Sequence, residues 1–132
     1  MFESMGLAGD GWVPRAVEVL NRGLDDRRMA AFVIDHPQVE CRLVSAGVGV
    51  LIQRMPGPAS PCGRAGYIQY VCTDPEYRAR GLARQVMRSL LEWFRQNGVA
   101  VVELHATAVG EPLYRSMGFG EAADRHLQLR LI

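Results

Sequence analysis

The chain contains no lysine: all 15 basic residues among its 132 are arginine. That excludes a Schiff-base lysine, a phosphate-loop lysine and a lysine general base. Cysteine is scarce as well. Cys41, Cys62 and Cys72 are odd in number and no two stand in CxxC spacing, a pattern that speaks for reduced thiols and against a disulfide framework or a zinc site. No charged segment followed by an apolar one opens the chain, and no apolar run approaches the roughly 20 residues that span a bilayer. The expectation is a cytoplasmic protein with no membrane partner. Charge of one sign is also lacking. A formal net charge of +1 speaks against nucleic acid, whose binders carry a basic excess or stripe.

What is present is ordinary globular material, with 48% hydrophobic and 22% charged residues. A chain of this length is expected to form a single domain over 1–132, burying roughly two-thirds of its unfolded surface. The first eleven residues are glycine-rich and show no period. Pro14 suits a helix start, and Val13, Val17, Leu20 and Leu24 follow at helical spacing. Met29–Ile34 and Leu43–Ile52 read as strands, the second weakened or bulged at Gly47 and Gly49. Met55–Gly66, with Pro56, Pro58 and Pro61, reads as a loop. Tyr67–Thr73 is a β-branched and aromatic strand, and Asp74–Gly81 a turn.

Leu82, Val86, Leu90 and Phe94 then recur every four residues to about Gln96, where Asn97-Gly98 closes the helix. Val99–Ala106 predicts a strand and Glu111–Met117 a short helix ended by Gly118. Leu127, Leu129 and Leu131 alternate with polar residues and predict a half-buried terminal strand. The order α-β-β-β-α-β-α-β gives an α/β or α+β layer fold around a mixed central sheet flanked by helices.

The chemistry concentrates in Tyr77-Arg78-Ala79-Arg80-Gly81-Leu82-Ala83-Arg84. Small residues opening a helix expose backbone N–H groups at the positive end of the helix dipole, which suits an anion. The same spacing also serves a purely structural strand–helix turn. Walker and GxGxxG patterns are both absent.

Two motifs together carry a resemblance. Val71-Cys72-Thr73-Asp74-Pro75-Glu76-Tyr77-Arg78-Ala79-Arg80-Gly81-Leu82-Ala83 resembles the strand and pyrophosphate-loop signature Q/R-x-x-G-x-G/A of the GNAT N-acetyltransferases. Pro112-Leu113-Tyr114-Arg115-Ser116-Met117-Gly118-Phe119 resembles that family's later Leu-Tyr…Gly-Phe element. The resemblance runs from about Trp12 to the C-terminus. It implies acetyl-CoA as co-substrate, its pyrophosphate held by backbone N–H groups of Ala79, Arg80, Gly81, Leu82 and Ala83 with Arg78, Arg80 and Arg84 alongside. It implies pantetheine paired with backbone at Val71, Cys72 and Thr73, in a wedge between the two central strands. It implies Tyr114 as general acid towards the departing sulfur. The acceptor would be the amine of a small molecule or peptide, attacking directly in a ternary complex.

The general base stays unassigned, with Glu103 and His105, alternate residues on one strand face, as candidates. Thr107 and Gly110 stand where the family often has Asn and Ala. Before Trp12 the chain is too short for the strand and helix with which family members usually begin. A shortened N-terminus leaves room for a homodimer that completes the acceptor wall, or for a non-catalytic acyl-CoA sensor as the alternative function. A helix-turn-helix reading of Arg78, Arg80, Arg84 and Arg88 is disfavoured by the flanking strands and near-zero net charge.

Overall fold

The computed structural model describes residues 11–132. Helix α1 spans Val13–Asp25, followed by strands β1 (Met29–Asp35), β2 (Leu43–Gln53) and β3 (Arg64–Thr73). A 3-10 turn at Pro75–Tyr77 leads to α2 (Leu82–Gln96), then β4 (Val101–Leu104) and α3 (Glu111–Ser116). The four strands form one sheet in the order β1-β2-β3-β4, antiparallel except for the parallel pair β3–β4. This is the mixed sheet with flanking helices that the sequence pattern predicts.

The core lies between α2 and one face of the sheet. Val86, Met87, Leu90 and Phe94, the helical stripe read from the sequence, are each at most 2% exposed. Burial of each such side chain contributes about 1.5–3 kcal/mol. The close seat of α2 depends on side chains that are missing opposite it. A Cβ at Gly49 would stand 2.9 Å from Phe94 Cζ, and one at Gly66 2.6 Å from Phe94 Cδ1. Gly66 therefore belongs inside β3 rather than to the preceding loop, and the strand begins at Arg64.

One irregularity positions the site. Gly49 pairs with Ile68 but Val48 with Tyr70, so Gln69 is an extra residue bulging from β3. The β3–β4 ladder runs from Ala65↔Val101 to Ile68↔Leu104 and stops at that bulge. A bulge bends its strand and ends regular pairing, so β4 is four residues long rather than the eight of Val99–Ala106. Beyond Ile68 the two strands part.

The expected terminal strand is absent. Leu127, Leu129 and Leu131 are 87%, 81% and 86% exposed, in a segment with no strand pairing among the described residues. Alternation makes one apolar face; it becomes a strand only when it pairs with an edge and has a surface to cover, and this segment pairs with no strand of the sheet. The expected shortening before Trp12 concerns residues 1–10, which lie outside the described residues. Among the described residues no helix is long and apolar enough to cross a membrane.

Candidate active site

The anion end of the site is built by the turn between β3 and α2. Asp74 caps the 3-10 turn by accepting the Glu76 backbone N–H at 3.1 Å, and its other oxygen accepts from Arg42 Nη2 at 2.8 Å. Hydrogen bonding from Arg42, with the Glu76 N–H second, holds the Asp74 carboxyl below the usual carboxylate range. Tyr77 is fixed from the other side. His36 Nδ1 accepts the backbone N–H groups of Gln38 and Val39, both at 3.0 Å. The ring proton of the neutral imidazole therefore sits on Nε2, which donates to the Tyr77 hydroxyl at 3.0 Å. The Arg80 guanidinium lies over the Tyr77 ring, 4.8 Å from its centroid.

Past this braced segment the backbone takes two left-handed residues, Ala79 (φ 60°) and Gly81 (φ 76°). Ala79 is unusual there, since Cβ disfavours that region. Successive turns of this kind direct N–H groups into one concavity. Gly81 is the N-cap of the 15-residue α2, with no side-chain cap bond and no acidic residue in the first turn. The orphan N–H groups at that helix start carry the positive end of its dipole.

This turn forms the floor of a cleft of about 680 Å³ at the parting of β3 and β4. Val71, Cys72 and Thr73 line one wall; Arg78, Ala79, Gly81, Leu82, Ala83 and Arg84 line the floor; Thr107, Val109, Gly110, Leu113 and Tyr114 line the far wall. Of the residues expected to hold a cofactor, Arg80 alone stands outside the lining, turned onto Tyr77. Arg78 Nε donates to the Thr73 carbonyl at 3.3 Å, and Arg84 Nη2 to Ser116 Oγ at 2.8 Å, which ties α2 to α3. Buried Ser45 holds the end of β3, donating to the Cys72 carbonyl at 3.1 Å and lying 3.0 Å from Thr73 Oγ1.

Tyr114 projects from α3 across this cleft, half-buried. Burial, with the nearby Cys72 sulfur second, pushes its phenol above the ordinary value, so it stays protonated through neutral pH. The sequence departures at 107 and 110 find their reason here. A Cβ at Gly110 would stand 2.9 Å from Tyr114 Cε2 and 3.2 Å from its hydroxyl. Thr107 opens the helix: Oγ1 accepts the Gly110 N–H at 3.2 Å, and its carbonyl accepts Glu111 N–H at 2.9 Å.

Glu103 and His105 lie outside this lining. Glu103 is paired with Arg54 at 2.9 Å, and His105 Nδ1 is hydrogen-bonded to the Tyr67 hydroxyl. Sequence reasoning missed His36, whose only visible signal was a strand stop before Pro37. It also missed Thr107 and Gly110 as structural determinants of Tyr114. Among the described residues no group of three His, Cys, Asp or Glu could hold a metal ion.

Fold and cleft together define an α/β protein whose parted central strands open onto a helix start with no side-chain cap. Residues 42–122 match the model of the acetyltransferase (GNAT) domain, more than half of the chain, and the chain belongs to that family. It is 37% identical over 70 residues to a glucosamine 6-phosphate N-acetyltransferase of Trypanosoma brucei brucei, which covers 52% of this chain and 47% of the relative. It is 36% identical over 80 residues to glucosamine 6-phosphate N-acetyltransferase 1 of Oryza sativa subsp. japonica, covering 61% of this chain and 47% of that one. The matches thus take in about half the length of these curated relatives. A predicted acetyltransferase from Clostridium acetobutylicum, solved with acetyl-CoA, superposes with a TM-score of 0.85 at 21% identity, covering 96% of this chain and 80% of the other. That likeness is one of fold.

Proposed function

We propose that this chain is an acetyl-CoA-dependent N-acetyltransferase that moves an acetyl group to a primary amine by direct attack in a ternary complex. The observation that carries the reading is the parting of β3 and β4 at the Gln69 bulge, directly above the left-handed Ala79–Gly81 turn. The residues present fit the co-substrate. An extended pantetheine finds a strand edge at Val71–Thr73, past the last β3–β4 pair of Ile68 with Leu104. A pyrophosphate finds the uncapped start of α2. The family membership and the acetyl-CoA complex of the Clostridium protein support the same assignment.

Acetyl-CoA brings an activated thioester, so little covalent chemistry is asked of the protein. The α2 start and the β3 edge orient the acyl group. Tyr114, whose phenol is held above its ordinary value by burial, gives its proton to the leaving sulfur. Cys72, buried at 8% exposure, shapes the wall rather than serving as a nucleophile.

The names of the two curated relatives make glucosamine 6-phosphate the first acceptor to assay. The test is thiol release from acetyl-CoA with glucosamine 6-phosphate, an aminoglycoside, a free amino acid and a short peptide with a free N-terminus. Amine-dependent release with formation of the N-acetyl product is expected. Acetyl-CoA binding without release on any amine would instead make the chain a sensor.

A further inference from the structure

The wedge has two faces, and they are not alike. The last β3–β4 pair is Ile68 with Leu104, and both side chains pack on the α2 core. Helix α2 therefore closes one face of the sheet at the apex of the wedge. That leaves the other face as the approach to the apex for a second substrate. There the paired residues are Tyr67 and Glu103, and the next side chain along that face is His105. His105 is exposed, and its Nδ1 is hydrogen-bonded to the Tyr67 hydroxyl.

The charged and titratable groups around this imidazole come from three further parts of the chain. Tyr67 faces it from β3. Glu103, on its own strand, is engaged by Arg54 from the end of β2 at 2.9 Å. His126, from the C-terminal segment, stands edge-on with ring centroids 4.5 Å apart. With Glu103 occupied by Arg54, the His105 imidazole, directly after Leu104 of the last β3–β4 pair, is the group on this face placed at the apex for proton removal.

Resting on the acetyltransferase reading of the wedge, we propose that His105 is the catalytic base that takes the proton from the acceptor ammonium, with Tyr67 the positioning residue that sets its tautomer. In the proposed tautomer Nδ1–H donates to Tyr67 Oη and leaves the lone pair on Nε2. Burial, with the Glu103 charge second, holds the Tyr67 phenol above its usual range, so its oxygen remains an uncharged acceptor. One ammonium proton passes to Nε2, and the freed nitrogen pair forms the C–N bond as the C–S bond breaks. The sulfur takes the proton of Tyr114. The nitrogen's second proton, lost as the amide forms, restores that phenol, and the exposed imidazolium returns its own proton to water.

The test is the pH dependence of kcat for His105→Gln and Tyr67→Phe, with saturating acetyl-CoA and the panel amine of highest turnover. For His105→Gln a loss on the order of 10²-fold is expected at about pH 7. It should shrink to less than about twofold above the pKa of the amine, where the acceptor is already neutral and needs no base. Tyr67→Phe should show a smaller loss with the same convergence. Both variants should keep the wild-type thermal shift with acetyl-CoA, which separates the chemistry from folding. A loss that is equal at every pH, or no loss, overturns the role of His105. Wild-type protein that binds acetyl-CoA but turns over no amine overturns the acetyltransferase reading itself, and this inference with it.

Discussion

The role proposed for Tyr114 rests on two local facts, a half-buried phenol and a glycine one helical turn before it. Tyr114→Phe should lower kcat about 10²-fold while acetyl-CoA affinity changes little, since the proton transfer is lost and the wall remains. Gly110→Ala makes the same point without removing the hydroxyl. Its methyl would stand 2.9 Å from the ring, so the ring must swing, and kcat should fall while the acetyl-CoA thermal shift persists. An unchanged kcat in either variant would remove the tyrosine from the chemistry. Asp74 gives a pH prediction. Its folded pKa is depressed, chiefly by the hydrogen bond from Arg42, so its contribution is present above the unfolded value of about 3.9 and is lost as pH falls through the folded one. The melting temperature should therefore decline more steeply below about pH 4 in wild type than in Asp74→Asn. Parallel curves would show that this pair contributes nothing.

The turn proposed to hold the pyrophosphate is braced as an element, by His36 on Tyr77 and Arg42 on Asp74. Gly81→Glu places a side chain and a negative charge at a left-handed N-cap. It should cost about 1–2 kcal/mol of stability and abolish the acetyl-CoA thermal shift. His36→Ala should raise KM for acetyl-CoA severalfold with kcat nearly kept, read by steady-state kinetics; equal falls in both parameters would point to general loosening instead. These elements also show what a sequence discloses. The α2 stripe was legible because Val86, Leu90 and Phe94 repeat at a period that only a helix satisfies. The turn was legible because Gly81 and the helix after it are local. The left-handed Ala79 was not, because alanine gives no sign of a conformation imposed by the brace around it. His36 was not, because its partner lies 41 residues away. Nor was the Gln69 bulge: Gly47 and Gly49 hinted at an irregularity, but the extra residue sits on the opposite strand.

At the scale of the whole molecule, the sheet is a device for opening one gap. Three antiparallel strands and α2 share one packed core, and the short parallel β4 carries the second wall away from it. Alternating leucines at 127–131 looked like a further strand, and their exposure shows the limit of periodicity as a guide: it records a face, not what covers it. The cleft has a floor suited to phosphate, a wall suited to an extended chain and a tyrosine in its far wall. Its central claim is that acetyl-CoA binds there. The most direct measurement is a thermal-shift titration of the wild-type chain and Gly81→Glu with acetyl-CoA. At about a hundredfold excess over Kd, stabilisation of about 2.7 kcal/mol should raise the wild-type melting temperature on the order of 10 °C, with no rise in the variant. No wild-type shift at millimolar acetyl-CoA, or equal shifts in both proteins, would contradict the account.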